Sequence, residues 1–168
     1  MELNKEQLLA VQTDSPRVLV AAGAGSGKTR VIMERIKFLL EQGVEPRKIY
    51  AITFTNAAAA EMRERLDENA GDVFIGTIHS LANRILLMNG IDTSSQIENE
   101  NFDWLLEQIY RRKVEVPNID HLLVDEFQDL CKNEYMFITK DLKAKNWFFV
   151  GDSQQAIYSF KGANFEYF

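Results

Sequence analysis

The chain has 168 residues, enough for one domain with a substantial hydrophobic core. Its 46% hydrophobic and 26% charged residues are ordinary for a water-soluble globular protein, and no apolar run approaches the ~18 residues of a membrane span. A net charge of −6 argues against a broadly basic nucleic-acid binder, so any such contact must be local. One cysteine, Cys131, excludes an internal disulfide, and two histidines beside it make no credible metal site. Met1–Glu6 has neither a basic nor an apolar leader region, and a reducing cytoplasm is the expected setting.

Apolar, β-rich runs alternate with helical patterns in chain order, which predicts an α/β fold with a parallel sheet flanked by helices. The candidate strands are Arg17–Ala21, Ile49–Phe54, Val73–Gly76, His121–Asp125 and Trp147–Gly151. Several lack polar alternation, as expected of strands covered on both faces. Val31, Ile32, Ile36, Leu39 and Leu40 mark one face of a helix over Lys28–Glu41 that stops near Gly43. Ala57–Leu66 reads as a second helix, and a third starts near His79 and carries Leu81, Ile85 and Leu86. From Gly90 to Asn101 the sequence turns polar and aperiodic, which reads as a loop or small insertion. Phe102–Arg112 is helical again. Cys131 and Trp104 read as packing residues, and Arg111–Lys113 as a solvated face.

The strand Val18–Val20 leads into Ala21-Ala22-Gly23-Ala24-Gly25-Ser26-Gly27-Lys28-Thr29, and a helix follows. Glycines let a backbone turn aim successive N–H groups at a phosphate, and the helix N-terminus adds favourable potential. In this arrangement Lys28 reaches the β- and γ-phosphates of ATP and the Thr29 hydroxyl binds Mg²⁺. The strict pattern opens with glycine, where this chain has Ala22. A dinucleotide site is disfavoured, because Lys28-Thr29 suits a triphosphate better.

The apolar run His121–Val124 ends in Asp125-Glu126, which an α/β sheet of this kind delivers to the ligand crevice at its strand C-termini. Asp125 then holds Mg²⁺, directly or through water, and Glu126 orients or deprotonates the attacking water. A solvated acidic turn capping the next helix is the plain alternative. Trp147–Val150 ends in Gly151-Asp152-Ser153-Gln154-Gln155, and a glutamine there can sense the γ-phosphate.

These motifs coincide with a family. The chain resembles the N-terminal part of the UvrD/Rep/PcrA-like DNA helicases of superfamily 1, through Leu3–Gln7, Ala22–Thr29, Ile52–Ala58, Thr77–Ser80, Asp125–Asp129 and Val150–Ala163. The resemblance implies a RecA-like P-loop domain whose nucleotide is held by Gln7, Ala22, Gly23, Ala24, Gly25, Ser26, Gly27, Lys28, Thr29 and Arg30. Gln7 would read the adenine edge. The catalytic set it implies is Lys28, Asp125, Glu126 and Gln155, with Gln128 and Gln155 coupling the γ-phosphate to the DNA track. Single-stranded DNA would lie along Phe54, Thr55, Asn56, Thr77, His79, Tyr158 and Phe160.

The chain also departs from the family pattern. Ala57 stands where a lysine is common, and Phe160-Lys161 where Trp-Arg is usual. Residues 81–118 are fewer than the helical subdomain the family inserts there. The second RecA-like domain, which the resemblance makes the source of arginines facing the γ-phosphate, is expected to be absent. The expectation is therefore a first motor domain of a 3′–5′ DNA-dependent ATPase/helicase, with feeble hydrolysis and no unwinding by this chain alone. A non-catalytic nucleotide-binding or regulatory module, or an ATPase completed by a partner chain, are the other readings.

Overall fold

The computed structural model describes residues 3–23, 25–66 and 70–152. Five strands form one all-parallel sheet in the order β1-β5-β4-β2-β3. They are β1 (Arg17–Ala21), β2 (Ile49–Ile52), β3 (Phe74–Gly76), β4 (His121–Val124) and β5 (Asn146–Gly151). The helices are α1 (Lys5–Gln12), α2 (Lys28–Glu41), α3 (Asn56–Glu64), α4 (Ile78–Met88), α5 (Ser94–Glu98), α6 (Phe102–Arg112) and α7 (Lys132–Met136). A 3₁₀ turn at Phe127–Asp129 and a π turn at Phe137–Asp141 complete the link from β4 to β5. Among the described residues no helix is long and apolar enough to cross a membrane.

Strand pleating divides the interior into two cores, because neighbouring residues face opposite sides. Ile49, Ala51, Leu123, Phe148 and Val150 meet Val31, Ile32 and Ile36 of α2 and Met62 of α3. Tyr50, Ile52, Leu122, Val124 and Phe149 meet Leu81 and Ile85 of α4, Leu105 and Ile109 of α6, and Phe137. Right-handed crossovers explain which helix takes which face. The path β1-β2-β3 advances along the sheet and β3-β4-β5 returns, so the connecting helices fall on opposite sides. The return places the C-terminal ends of β4 and β5 beside that of β1, where such a sheet opens its ligand crevice.

Four expectations need correction. Phe54 and Asp125 lie beyond their strands, since β2 stops at Ile52 and β4 at Val124. Residues 90–101 are not simply a loop, because α5 forms there. Asp92 accepts hydrogen bonds from the Ser94 N–H and hydroxyl, and Thr93 donates to Asn83. Cys131 is exposed at the N-cap of α7 rather than packed, whereas Trp104 does pack against the core. Helix α1, read from sequence only as a motif segment, is closed by a capping box between Asn4 and Gln7. The buried Arg35 joins it to α2 by donating to the Val11 and Thr13 carbonyls.

Candidate nucleotide site and strand-binding rim

The loop after β1 is fixed at its start by β5, since the Ala22 N–H donates to the Gly151 carbonyl at 2.9 Å. It then closes through Ser26 N–H to the Gly23 carbonyl and enters α2 at Gly27. Gly27 has φ +83°, a left-handed backbone that a side chain would strain. The first N–H groups of α2 therefore face the same space as the loop. Gly23, Gly25, Ser26 and Gly27 are exposed, Ala22 and Arg30 half-buried, and Ala24 lies outside the described residues. Gln7 reaches this loop from α1. Its Nε2 donates to the Ser26 carbonyl at 2.9 Å while its Oε1 accepts the Asn4 N–H.

Directly after the glycine loop, two side chains of α2 meet two acids that follow β4. Thr29 Oγ1 donates to Asp125 Oδ2 at 2.9 Å, and Lys28 Nζ lies 3.5 Å from Glu126 Oε2. Lys28 is only 9% exposed and Asp125 6%. Burial pushes the Asp125 carboxyl above the usual carboxylate range, against the Thr29 hydrogen bond; the charge of Glu126 adds to the rise and Lys28 opposes it. Asp129 is shifted upward as well, by burial first and then by Glu126, with Lys28 opposing. A buried carboxylate beside a hydroxyl is a donor set suited to a hard cation such as Mg²⁺. A positive ion would also relieve the strain of crowding these acids.

Glu126 sits in the left-handed region, with φ 48° and ψ 45°, a conformation uncommon for a residue bearing Cβ. That turn sends its carboxylate back toward Lys28. Gln128, 3% exposed, then holds it: Nε2 donates to Glu126 Oε2 at 2.8 Å, and Oε1 accepts the Asp152 N–H at 3.0 Å. Sequence reasoning gave Gln128 a role only by resemblance and gave Asp152 none. Its cue was the glycine before it, since a Cβ on Gly151 would strike the Phe127 ring and come 2.5 Å from Gln128 Oε1. Gln155, Tyr158 and Phe160 lie outside the described residues.

The other sequence candidates occupy the β2–β3 end of the same rim. Phe54 is 56% exposed, which removes the alternative that it belongs to the core. Thr53 is buried and ties the two strand ends together, donating its N–H to the Gly76 carbonyl and its hydroxyl to the Thr55 carbonyl. Thr55 and Thr77 are helix N-caps, accepting from Ala58 N–H and Ser80 N–H. Asn56 is exposed at the first turn of α3. His79 stacks on Phe102 with ring centroids 5.0 Å apart. The rim thus has two stretches, the acids near β1 and these polar and aromatic groups near β3, joined where the Asp125 N–H donates to the Ile52 carbonyl.

The model of the UvrD/REP helicase N-terminal domain matches residues 3–116 and 107–168. The chain belongs to that family. Its relatives include the ATP-dependent DNA helicase PcrA of Leuconostoc citreum, 30% identical over 96% of this chain and 34% of that protein. A probable DNA helicase of Mycoplasma pneumoniae is 37% identical over 79% of the chain and 28% of its own length. PcrA of Staphylococcus aureus is 28% identical over 98% of the chain and 35% of its own length. The chain thus spans about a third of the length of these helicases. As a UvrD/REP N-terminal domain it has the RecA-like P-loop fold, with the glycine loop and the two acids on one rim of the parallel sheet. The two stretches of the family match overlap at 107–116, from the second half of α6 into the residues that follow it.

Proposed function

We propose that this chain is an ATP-binding motor domain of a UvrD-like DNA-dependent ATPase, and that its nucleotide site is the loop Ala22–Arg30 with Asp125 and Glu126. The observation that carries this reading is the double meeting of Lys28-Thr29 with Asp125-Glu126 at a buried strand end. The loop amides and Lys28 bind the phosphates. Thr29 and Asp125 would hold Mg²⁺, which would offset phosphate charge and polarise the terminal phosphoryl group. Glu126 accepts a proton from, or orients, the attacking water, and Gln128 holds that carboxylate in place. Lys28 must leave Glu126 to reach a phosphate, so nucleotide entry also frees the base. Gln7 braces the loop through Ser26 and keeps one amide proton and one lone pair for the adenine edge.

Among the described residues, Lys28 is the one base ion-paired with these acids. A second RecA-like domain or a partner chain would supply the arginine that completes the site, an addition worth about 10³–10⁵ in rate in related phosphoryl transfers. The domain reading is one RecA-like unit over 1–168 with a shortened insertion at about 81–118. Single-stranded DNA lies on the Phe54–His79 rim, with stacking on Phe54 and hydrogen bonds from the Thr55, Asn56, Thr77 and His79 side chains. Titration with labelled ATP and oligothymidylate, with Lys28→Ala and Glu126→Gln as controls, tests the assignment. DNA-stimulated hydrolysis supports the motor. Nucleotide binding with no turnover in any complex supports instead a regulatory module, a reading favoured only by the engagement of Glu126 Oε2 by both Lys28 and Gln128.

A further inference from the structure

We infer that Glu134, a residue in none of the motifs above, is a positioning residue that sets His79 on the strand-binding rim. The inference rests on the DNA assignment just proposed. Glu134 uses both carboxylate oxygens. Oε2 accepts the Cys131 N–H at 2.8 Å, closing the N-terminus of α7, and Oε1 lies 3.7 Å from His79 Nε2. Its side chain is 13% exposed and that of His79 34%, so water screens the contact only in part. Phe102, at the start of α6, covers a face of the imidazole. Three elements that are separate in sequence therefore converge on one ring, and neither ring nitrogen makes a hydrogen bond among the described residues.

The geometry leaves the ring one open edge. With Nε2 the ring nitrogen that approaches Glu134, at 3.7 Å, and a face on Phe102, Nδ1 is the polar atom left to meet a DNA group. A free histidine side chain has several rotamers, and holding one before binding removes an ordering cost. The anchor also joins the two stretches of the rim. Helix α7 follows the acidic segment within one turn, where the Asp129 N–H donates to the Glu126 carbonyl at 2.9 Å.

The test is a double-mutant cycle on the full 168-residue chain, read by the affinity for a labelled oligothymidylate of about 16 nucleotides at low salt. Glu134→Ala is expected to weaken binding about twofold to fivefold, the scale of one partly exposed charged contact. Glu134→Gln keeps a carbonyl oxygen for the Cys131 N–H but turns an uncharged amide N–H₂ toward the imidazole, so it is expected to lose affinity as Glu134→Ala does while preserving the helix cap. The double variant Glu134→Ala/His79→Ala should bind no more weakly than His79→Ala alone, and affinity for a non-hydrolysable ATP analogue should be the same in all. Additive losses, an unchanged Glu134→Ala, or a Glu134→Gln variant that binds as tightly as the parent would overturn the role. If the unsubstituted chain binds the analogue but not the oligonucleotide, the DNA assignment itself fails, and with it this inference.

Discussion

Thr29 and Asp125, 96 positions apart in sequence, share a hydrogen bond of 2.9 Å at the mouth of the crevice. That bond holds a carboxyl in the position where burial makes its ionisation unfavourable. The folded carboxyl has a raised affinity for its proton, so the folded state binds more protons than the unfolded one above the usual carboxylate pKa. Stability contributed by Asp125 is thus present at low pH and lost as pH rises through the raised folded value. Asp125→Asn removes that loss. The variant is expected to melt above the parent at neutral pH without Mg²⁺ and to converge with it in acid. Adding Mg²⁺ should raise the parent's melting temperature and leave the variant's unchanged. Thermal scans across pH, with and without the ion, check both statements.

Lys28 and Glu126 give the site its charge balance, and their substitutions should separate binding from turnover. Lys28→Ala deletes a cation from the phosphates, and one charge-assisted contact is worth about 1.5–3 kcal/mol, or roughly tenfold to a hundredfold in nucleotide affinity. Glu126→Gln keeps the shape but frees Lys28 from its counter-ion. It is expected to bind nucleotide at least as tightly as the parent while losing hydrolysis in any complex that restores it. Calorimetric titration with a non-hydrolysable analogue measures the first effect, and phosphate release the second. Equal loss of affinity in both variants would remove Glu126 from the role of base.

Much of this was legible in the amino-acid sequence, for identifiable reasons. Helix α2 runs from Lys28 to Glu41 as its apolar spacing indicates, and the five strands announce themselves as short apolar runs because both faces are covered. Helix α1 was hidden because Leu8 and Leu9 face solvent, which leaves Val11 as its one buried residue and blurs the periodicity. Helix α5 is five residues held by side-chain bonds from Asp92 and Thr93, a local arrangement with no repeating signal. Of the site, Lys28, Thr29, Asp125 and Glu126 could be read from motif chemistry. The left-handed turn at Glu126 and the grip of Gln128 on Asp152 could not, since both depend on how β4 and β5 lie side by side.

Gly151 makes that side-by-side arrangement possible. A methyl group there would collide with the Phe127 ring and with Gln128 Oε1, both on buried side chains that would have to shift. Gly151→Ala is expected to cost about 1–3 kcal/mol, the usual range for overpacking, read as a lower melting temperature. The displaced glutamine would release Glu126, so hydrolysis should fall by more than nucleotide affinity. A variant with parental stability and turnover would show that the crowding is readily relieved.

Phe54 offers the sharpest separation of the two stretches of the rim. Its ring is more than half exposed just beyond β2, so truncation removes little buried surface and should leave the melting temperature unchanged. A base stacked on such a ring gains about 1–3 kcal/mol, whatever its sequence. Phe54→Ala should therefore weaken oligothymidylate binding roughly fivefold to a hundredfold on that scale, with analogue affinity untouched. Phe54→Trp, which enlarges the stacking face, should bind as well as the parent or better. The net charge of −6 sharpens the test, because a chain whose 25 acids outnumber its 19 lysines and arginines depends on stacking for a larger share of its affinity and should show a shallow salt dependence. A steep salt slope with no effect of Phe54→Ala would move the DNA path to another face.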